Sequence, residues 1–292
     1  MTLEQPVPSH DPRDVVVRAA ASVIVLAERP ELEVLLLRRR EASIYVGGMV
    51  VFPGGAVDPG DADAVALVDG ETVVPDLDER QARAHVVAGV RETLEEAGIW
   101  LGAHPDAPVA ARRGIDEGRV KLADVAVAGS VDPAALPHAG RWVTPLGSPR
   151  RYDPQVFVAQ AADDTIEADG TEVVHAEWSR PERALERIEA GRLRVIYPTF
   201  TYLSALAGYR RIADVLATAR RGRRRPRGAG GRTICGRCCS ARRGDGSAAA
   251  TGDSEQDTPA SIDPGFGSAR RCDRRRGIPL HEFQRRGTNR DH

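Results

Sequence analysis

Residues 91–99 read RETLEEAGI, which sets Glu92, Glu95 and Glu96 at i, i+3 and i+4 of one helical stretch. Side chains at those spacings face one another, and each like-charged pair costs about 0.2–0.5 kcal/mol in an isolated helix. Gly98 is the natural left-handed stop of such a helix. The cluster therefore stands at the end where the backbone dipole favours cations, and stability alone would select Lys or Arg there. Three carboxylates on one face make a hard, oxygen-rich site suited to Mg²⁺ or Mn²⁺, with positions left for water and substrate phosphates. Upstream, the Gly-rich stretch YVGGMVVFPGGAVDPGD (45–61) lets backbone carbonyls and N–H groups approach the same ion or a diphosphate. Together these features point to attack of water on phosphorus, with a spare glutamate to take the proton.

The elements around these residues must hold them together. VVVRAAASVIVLAE (15–28) and EVLLLRRR (33–40) have strand composition, and Met49–Phe52 reads as a short strand entering a tight loop. Residues 62–77 are polar and acidic and read as an inserted loop. The next helix starts at Asp76 or Asp78 and ends at Gly98, with Val86, Val87, Val90, Leu94 and Ala97 forming an apolar stripe opposite the carboxylates. Residues 140–160 and 171–179 read as two strands. RPERALERIEAG (180–191) is a short helix with Pro181 in its first turn, and 197–220 is a closing helix or helix pair. Strands before and after a central helix predict a mixed α/β sandwich. His85 is expected on the surface, and His175 in a strand is expected to be structural.

The formal net charge of −1 hides an asymmetry. From Arg220 onward there are 18 Arg against 8 acidic residues, whereas the first 219 residues carry 23 basic against 34 acidic ones. The predicted organisation is a flexible N-terminus (1–12), one catalytic domain (13–219) and an Arg/Gly-rich low-complexity tail (220–292) without the apolar pattern of a core. That composition reads as a disordered tail, and it also fits a reading-frame accident in GC-rich DNA. All four cysteines (Cys235, Cys238, Cys239, Cys272) lie in the tail, so the body has no disulfide framework. The long gap between Cys238 and Cys272 argues against a zinc site with His281. A single lysine, Lys121, without a Gly-rich turn before it excludes a P-loop. The polar N-terminus is not a signal peptide. The longest apolar run, AAASVIVLA, is half a membrane span, so the expectation is a soluble, cytoplasmic protein without a membrane partner. A basic tail attracts polyanions, but its two aromatics, Phe266 and Phe283, offer little base stacking, which ranks a nucleic-acid partner low.

The sequence resembles the Nudix hydrolases, whose box runs G-x5-E-x7-R-E-U-x-E-E-x-G-U with U apolar. Arg91, Glu92, Glu95, Glu96, Gly98 and Ile99 match its second half and Gly55 its opening glycine. Asp61 stands where Glu is expected, residues 62–90 separate it from Arg91 instead of seven, and Thr93 replaces an apolar residue. A subgroup resembling the peroxisomal coenzyme A diphosphatases carries such an insertion, and LLLRRR, GGMVVFPGG, RRYD and YPT are similar to that group. The resemblance spans roughly residues 15–219 and implies a Nudix-type α/β/α sandwich with a mixed sheet, a Mg²⁺ (or Mn²⁺) cofactor and a small nucleotide-derived substrate. A homodimer is compatible with it.

The resemblance also implies roles. Glu95 and Glu96 would bind metal, Glu92 would bind metal or act as base, and Arg91 would orient a box glutamate by a salt bridge. The Gly55 carbonyl would approach a metal, and Gly54 belongs to the loop that meets substrate. A further glutamate from a later loop is expected, with Glu172 first and Glu177 second. A coenzyme A signature, L-L-T-x-R-S-x3-R-x3-G-x3-F-P-G-G, is matched at Leu35, Leu36, Arg39, Gly48 and Phe52–Gly55, whereas Leu37, Arg40 and Ile44 depart from it. Arg39, Arg150 and Arg151 are candidate phosphate contacts, since guanidinium forks match phosphate oxygens. ADP-ribose, NADH and related dinucleotides are the alternative substrates.

Overall fold

Strand β1 (Val17–Glu28) is long and apolar enough to be covered on both sides, and the structure, a computed structural model, shows why. Ala21, Val23 and Val25 face one hydrophobic layer, while Ile24 and Leu26 face another. Strand β2 (Leu32–Arg39) divides in the same way, Leu35 and Leu37 to one side and Val34 and Leu36 to the other. Side chains alternate with period two along a strand, so near-continuous apolar runs mark a sheet buried on both faces. The structure describes residues 14–43, 46–162 and 165–222. The expected N-terminal segment 1–12, Ile44, and the tail from 223 with its cysteines lie outside the described residues.

The remaining strands are β3 (Val50–Val51), β4 (Gly54–Ala56), β5 (His138–Arg141), β6 (Arg151–Gln160) and β7 (Val173–Ser179). β1 pairs antiparallel with β2 and, further along, with β4; on its other edge it runs parallel with β6, which pairs with β5. β2 pairs with β3 and with β7. β1 and β2 therefore part company, and the Phe52–Pro53 corner crosses between them, tied by the Pro53 carbonyl accepting from Val23 N at 2.9 Å. That crossing carries the Gly-rich loop to the middle of the sheet.

One layer holds α1 (Pro59–Asp63), α2 (Glu79–Ala97), α3 (Asp106–Asp116) and α4 (Leu122–Val125). The other holds α5 (Pro181–Glu189), α6 (Tyr197–Leu206) and α7 (Ile212–Gly222), with Leu203, Leu206, Ile212 and Val215 in its core. The mixed α/β/α sandwich expected from the sequence is present, and the closing segment is a helix pair. Residues 62–77 are not simply a loop. Leu67, Val68 and Val74 are buried in the same hydrophobic core as Val86 and Val90 of α2, so the insertion extends the core. Alternating acids had masked three apolar anchors. Among the described residues no helix is long and apolar enough to cross a membrane.

Candidate active site

Helix α2 is built to deliver carboxylates to one place. Asp78 caps its start, its side chain accepting from Gln81 N at 2.8 Å while Gln81 Oε1 accepts from Asp78 N at 3.2 Å. Gly98 ends it in the left-handed region at φ 75°. Val86, Val87, Val90, Leu94 and Ala97 bury the predicted stripe. The opposite face is covered as well: Glu95 and Glu96 are buried. His85, expected on the surface, is buried too, its Nδ1 2.7 Å from the Gln81 carbonyl one turn earlier in the helix.

The cluster meets arginines from three elements. Arg91 Nη1 donates to Glu95 at 2.8 Å and to Glu92 at 3.0 Å, and Nη2 donates to the Ala56 carbonyl at 3.0 Å. Asp61 completes its grip, accepting from Nε at 2.8 Å and from Nη2 at 3.0 Å. Arg39, from the end of β2, reaches Glu96 at 3.4 Å and Glu172 at 2.7 Å. Its Nε is buried without a hydrogen-bond partner. From α3, Arg112 donates twice to the Glu95 carbonyl, at 3.1 and 2.9 Å, so the cation that the dipole favours at a helix end comes from a neighbouring helix. Sequence reasoning missed Arg112; nothing in its spacing links it to α2.

The Gly-rich loop closes over this cluster. Gly54 N donates to Glu96 Oε2 at 3.0 Å. Gly54 has φ 152°, and a Cβ there would strike the Ala21 carbonyl. A Cβ on Gly55 would strike the Glu92 carboxylate, so the glycine leaves Glu92 its space. Glu177, the second candidate for a later glutamate, is directed elsewhere: it pairs with Arg187 of α5 at 2.7 Å, across the sheet. Along β7 it alternates with Ala176 and Trp178, which pack on the α2 side.

Arg150 and Arg151 are not brought to the glutamates. Arg151 pairs in register with Val17, four residues along β1 from Ala21, which faces Gly55.

Six carboxylates (Asp58, Asp61, Glu92, Glu95, Glu96, Glu172) share two guanidiniums. Three of them, Glu92, Glu95 and Glu96, are raised above the usual carboxylate range. Burial raises Glu95 to about 7, against the opposing charge of Arg91. Burial, then the neighbouring Glu92 charge, holds Glu96 well above the usual carboxylate range. Burial likewise raises Glu92. Among the described residues no three acidic, His or Cys side chains are already arranged as a metal cage. The donor set nevertheless fits a hard divalent cation: clustered carboxylate oxygens, a backbone loop at contact distance, and more negative charge than the arginines offset. Glu92, Glu95 and Glu96 are the residues able to hold it.

Among solved structures similar to the chain is a Nudix hydrolase from Alicyclobacillus acidocaldarius, at 29% identity, covering 70% of this chain and 97% of that one with a TM-score of 0.59. A MutT Nudix hydrolase from Burkholderia pseudomallei aligns at 14% identity over 65% of this chain and 97% of that one, with a TM-score of 0.37, too slight a likeness to carry weight. No family model matches the chain. The sandwich, the carboxylate-bearing helix and the first of these likenesses define the class: the chain is a hydrolase with the fold of the Nudix enzymes.

Proposed function

We propose that the chain hydrolyses the diphosphate linkage of a nucleoside diphosphate derivative with Mg²⁺ or Mn²⁺, and that its substrate is coenzyme A or an acyl-CoA. The observation that carries the chemistry is the Gly55 backbone lying against Glu92 beside two further buried, cation-deficient glutamates. Glu95, Glu96, Glu92 and the Gly55 carbonyl would hold the metal. When bound, it supplies neutralisation of phosphate charge and a more acidic water.

The chain's own residues do the rest. Arg91, locked by Asp61, keeps Glu92 and Glu95 in place. Glu92 accepts the proton of the attacking water. The water oxygen bonds to one phosphorus as the bridging P–O bond breaks, and the electron pair leaves with the departing phosphate. Arg39 stands beside Glu96 and Glu172 as a guanidinium able to contact the diphosphate. Glu172 is the later glutamate, reaching the cluster through Arg39. The coenzyme A reading is supported by the matched half of the signature, Leu35, Leu36, Arg39, Gly48 and Phe52–Gly55.

The test is turnover by the full chain with Mg²⁺ against coenzyme A, an acyl-CoA, ADP-ribose and NADH, products read by mass, with Glu95→Gln as control. Release of 3′,5′-ADP and a phosphopantetheine, lost in the control, is the expected result. AMP from ADP-ribose or NADH instead would keep the chemistry and replace the substrate. No turnover of any of the four would end the reading.

A further inference from the structure

At the start of β1 and β6 a cavity of about 310 Å³ is lined by Val15, Val16, Arg18, Pro149, Arg150 and Arg151. Three of its walls are arginines, and among the described residues none is acidic. Arg39, Arg91, Arg141 and Arg187 are all engaged by carboxylates. Among the described residues Arg18 and Arg150 meet none. Arg151 is set in place by the preceding loop: its Nε donates to the Thr144 carbonyl at 3.1 Å, and Thr144 is tied to Tyr152 by bonds of 2.9 and 3.0 Å. Three arginines lining one cavity at the strand ends concentrate positive charge there, and a bound anion offsets it. A phosphate dianion suits their forked donors.

The cavity's place in the sheet gives it a purpose. Val17 stands opposite Arg151 and Ala21 opposite Gly55, so the backbones at the cavity and at the glutamate loop are four residues apart on one strand, about 13 Å. That separation is within the reach of a nucleotide carrying a diphosphate at one end and a second phosphate on its ribose. Val15, Val16 and Pro149 offer apolar wall beside the charges.

We propose that Arg18, Arg150 and Arg151 form a phosphate subsite for the ribose 3′-phosphate of the substrate, apart from the site where the diphosphate is cleaved. The inference rests on the coenzyme A reading above. It makes the cavity the feature that separates 3′-phosphorylated nucleotides from ADP-ribose and NADH, which lack that group.

The test is calorimetric titration of the full chain with 3′,5′-ADP and with 5′-AMP, which differ in that phosphate alone. Wild type is expected to bind 3′,5′-ADP at least about 10-fold more tightly, because charge-assisted hydrogen bonds to the extra phosphate are the strong ones. The Arg18→Ala/Arg150→Ala double variant, which keeps the same Arg-rich tail, should bind the two alike. Both side chains are exposed, and circular dichroism of the double variant and of Arg150→Ala alone checks folding. Equal affinity in wild type, or a preference that survives in the folded variants, would overturn the subsite. Coenzyme A turnover, measured alongside, separates the two proposals. Arginine-dependent 3′,5′-ADP binding without turnover removes the reaction and leaves the subsite; turnover with equal affinities does the reverse.

Discussion

Arg91 and Asp61 form a two-point ion pair between residues 30 positions apart, with Nε to Oδ1 at 2.8 Å and Nη2 to Oδ2 at 3.0 Å. Asp61 is 2% exposed, so this is a buried charge held by a half-buried partner. It explains how a box split by an insertion stays functional in form: the aspartate anchors the arginine, and the arginine arranges the glutamates.

Removing the aspartate should therefore cost stability and activity together. Breaking a buried pair by deleting one partner typically costs about 3–5 kcal/mol. Asp61→Ala is expected to lower the melting temperature and cut kcat strongly. Thermal unfolding and turnover on the same preparation check it, and unchanged values would show that Arg91 needs no anchor.

Glu92→Gln keeps the shape and hydrogen-bonding reach of the side chain while removing its basicity. Loss of a general base costs about 10²–10⁴ in rate. The expected result is a fall in kcat of that size, with melting temperature little changed. A variant that retained near-native turnover would assign the proton to another group.

Gly55→Ala puts a methyl group where the Glu92 carboxylate sits. Inserting an extra carbon into a packed site costs about 1–3 kcal/mol, and here the strain falls on the proposed base. Activity should drop more than stability does; the reverse pattern would show that the loop merely packs.

The raised carboxylates give the metal-free protein a definite pH dependence. Glu95, ordinarily near 4.5, is lifted to about 7, so between those values the folded state binds more protons than the unfolded one. Stability from this group is present below about pH 4.5 and is lost as pH rises through about 7. Glu92 and Glu96 act in the same direction. Mg²⁺ competes with those protons, so its effect on the melting temperature should be larger at pH 8 than at pH 5. Equal shifts at both pH values would contradict a carboxylate metal site.

Much of this arrangement is legible in the residues themselves. The 3.6-residue period sets Val86, Val90 and Leu94 against the glutamates, Asp76 or Asp78 and Gly98 mark the helix ends, and the apolar runs 15–28 and 33–40 read as strands. Local spacing determines these features because helix and strand geometry are fixed by the backbone. The sequence alone also shows that the helix end carries the wrong charge for its dipole, and so that positive charge has to come from elsewhere.

Only the tertiary structure decides where that charge comes from. Arg39, Arg91 and Arg112 converge from β2, α2 and α3, contacts whose sequence separation no periodicity encodes. It also decides that Glu172 rather than Glu177 faces the cluster, since one residue of register along a strand moves a side chain to the opposite face of the sheet. His85 is buried and the 62–77 insertion joins the core for a related reason: burial depends on what other segments cover, and that is settled when the layers pack.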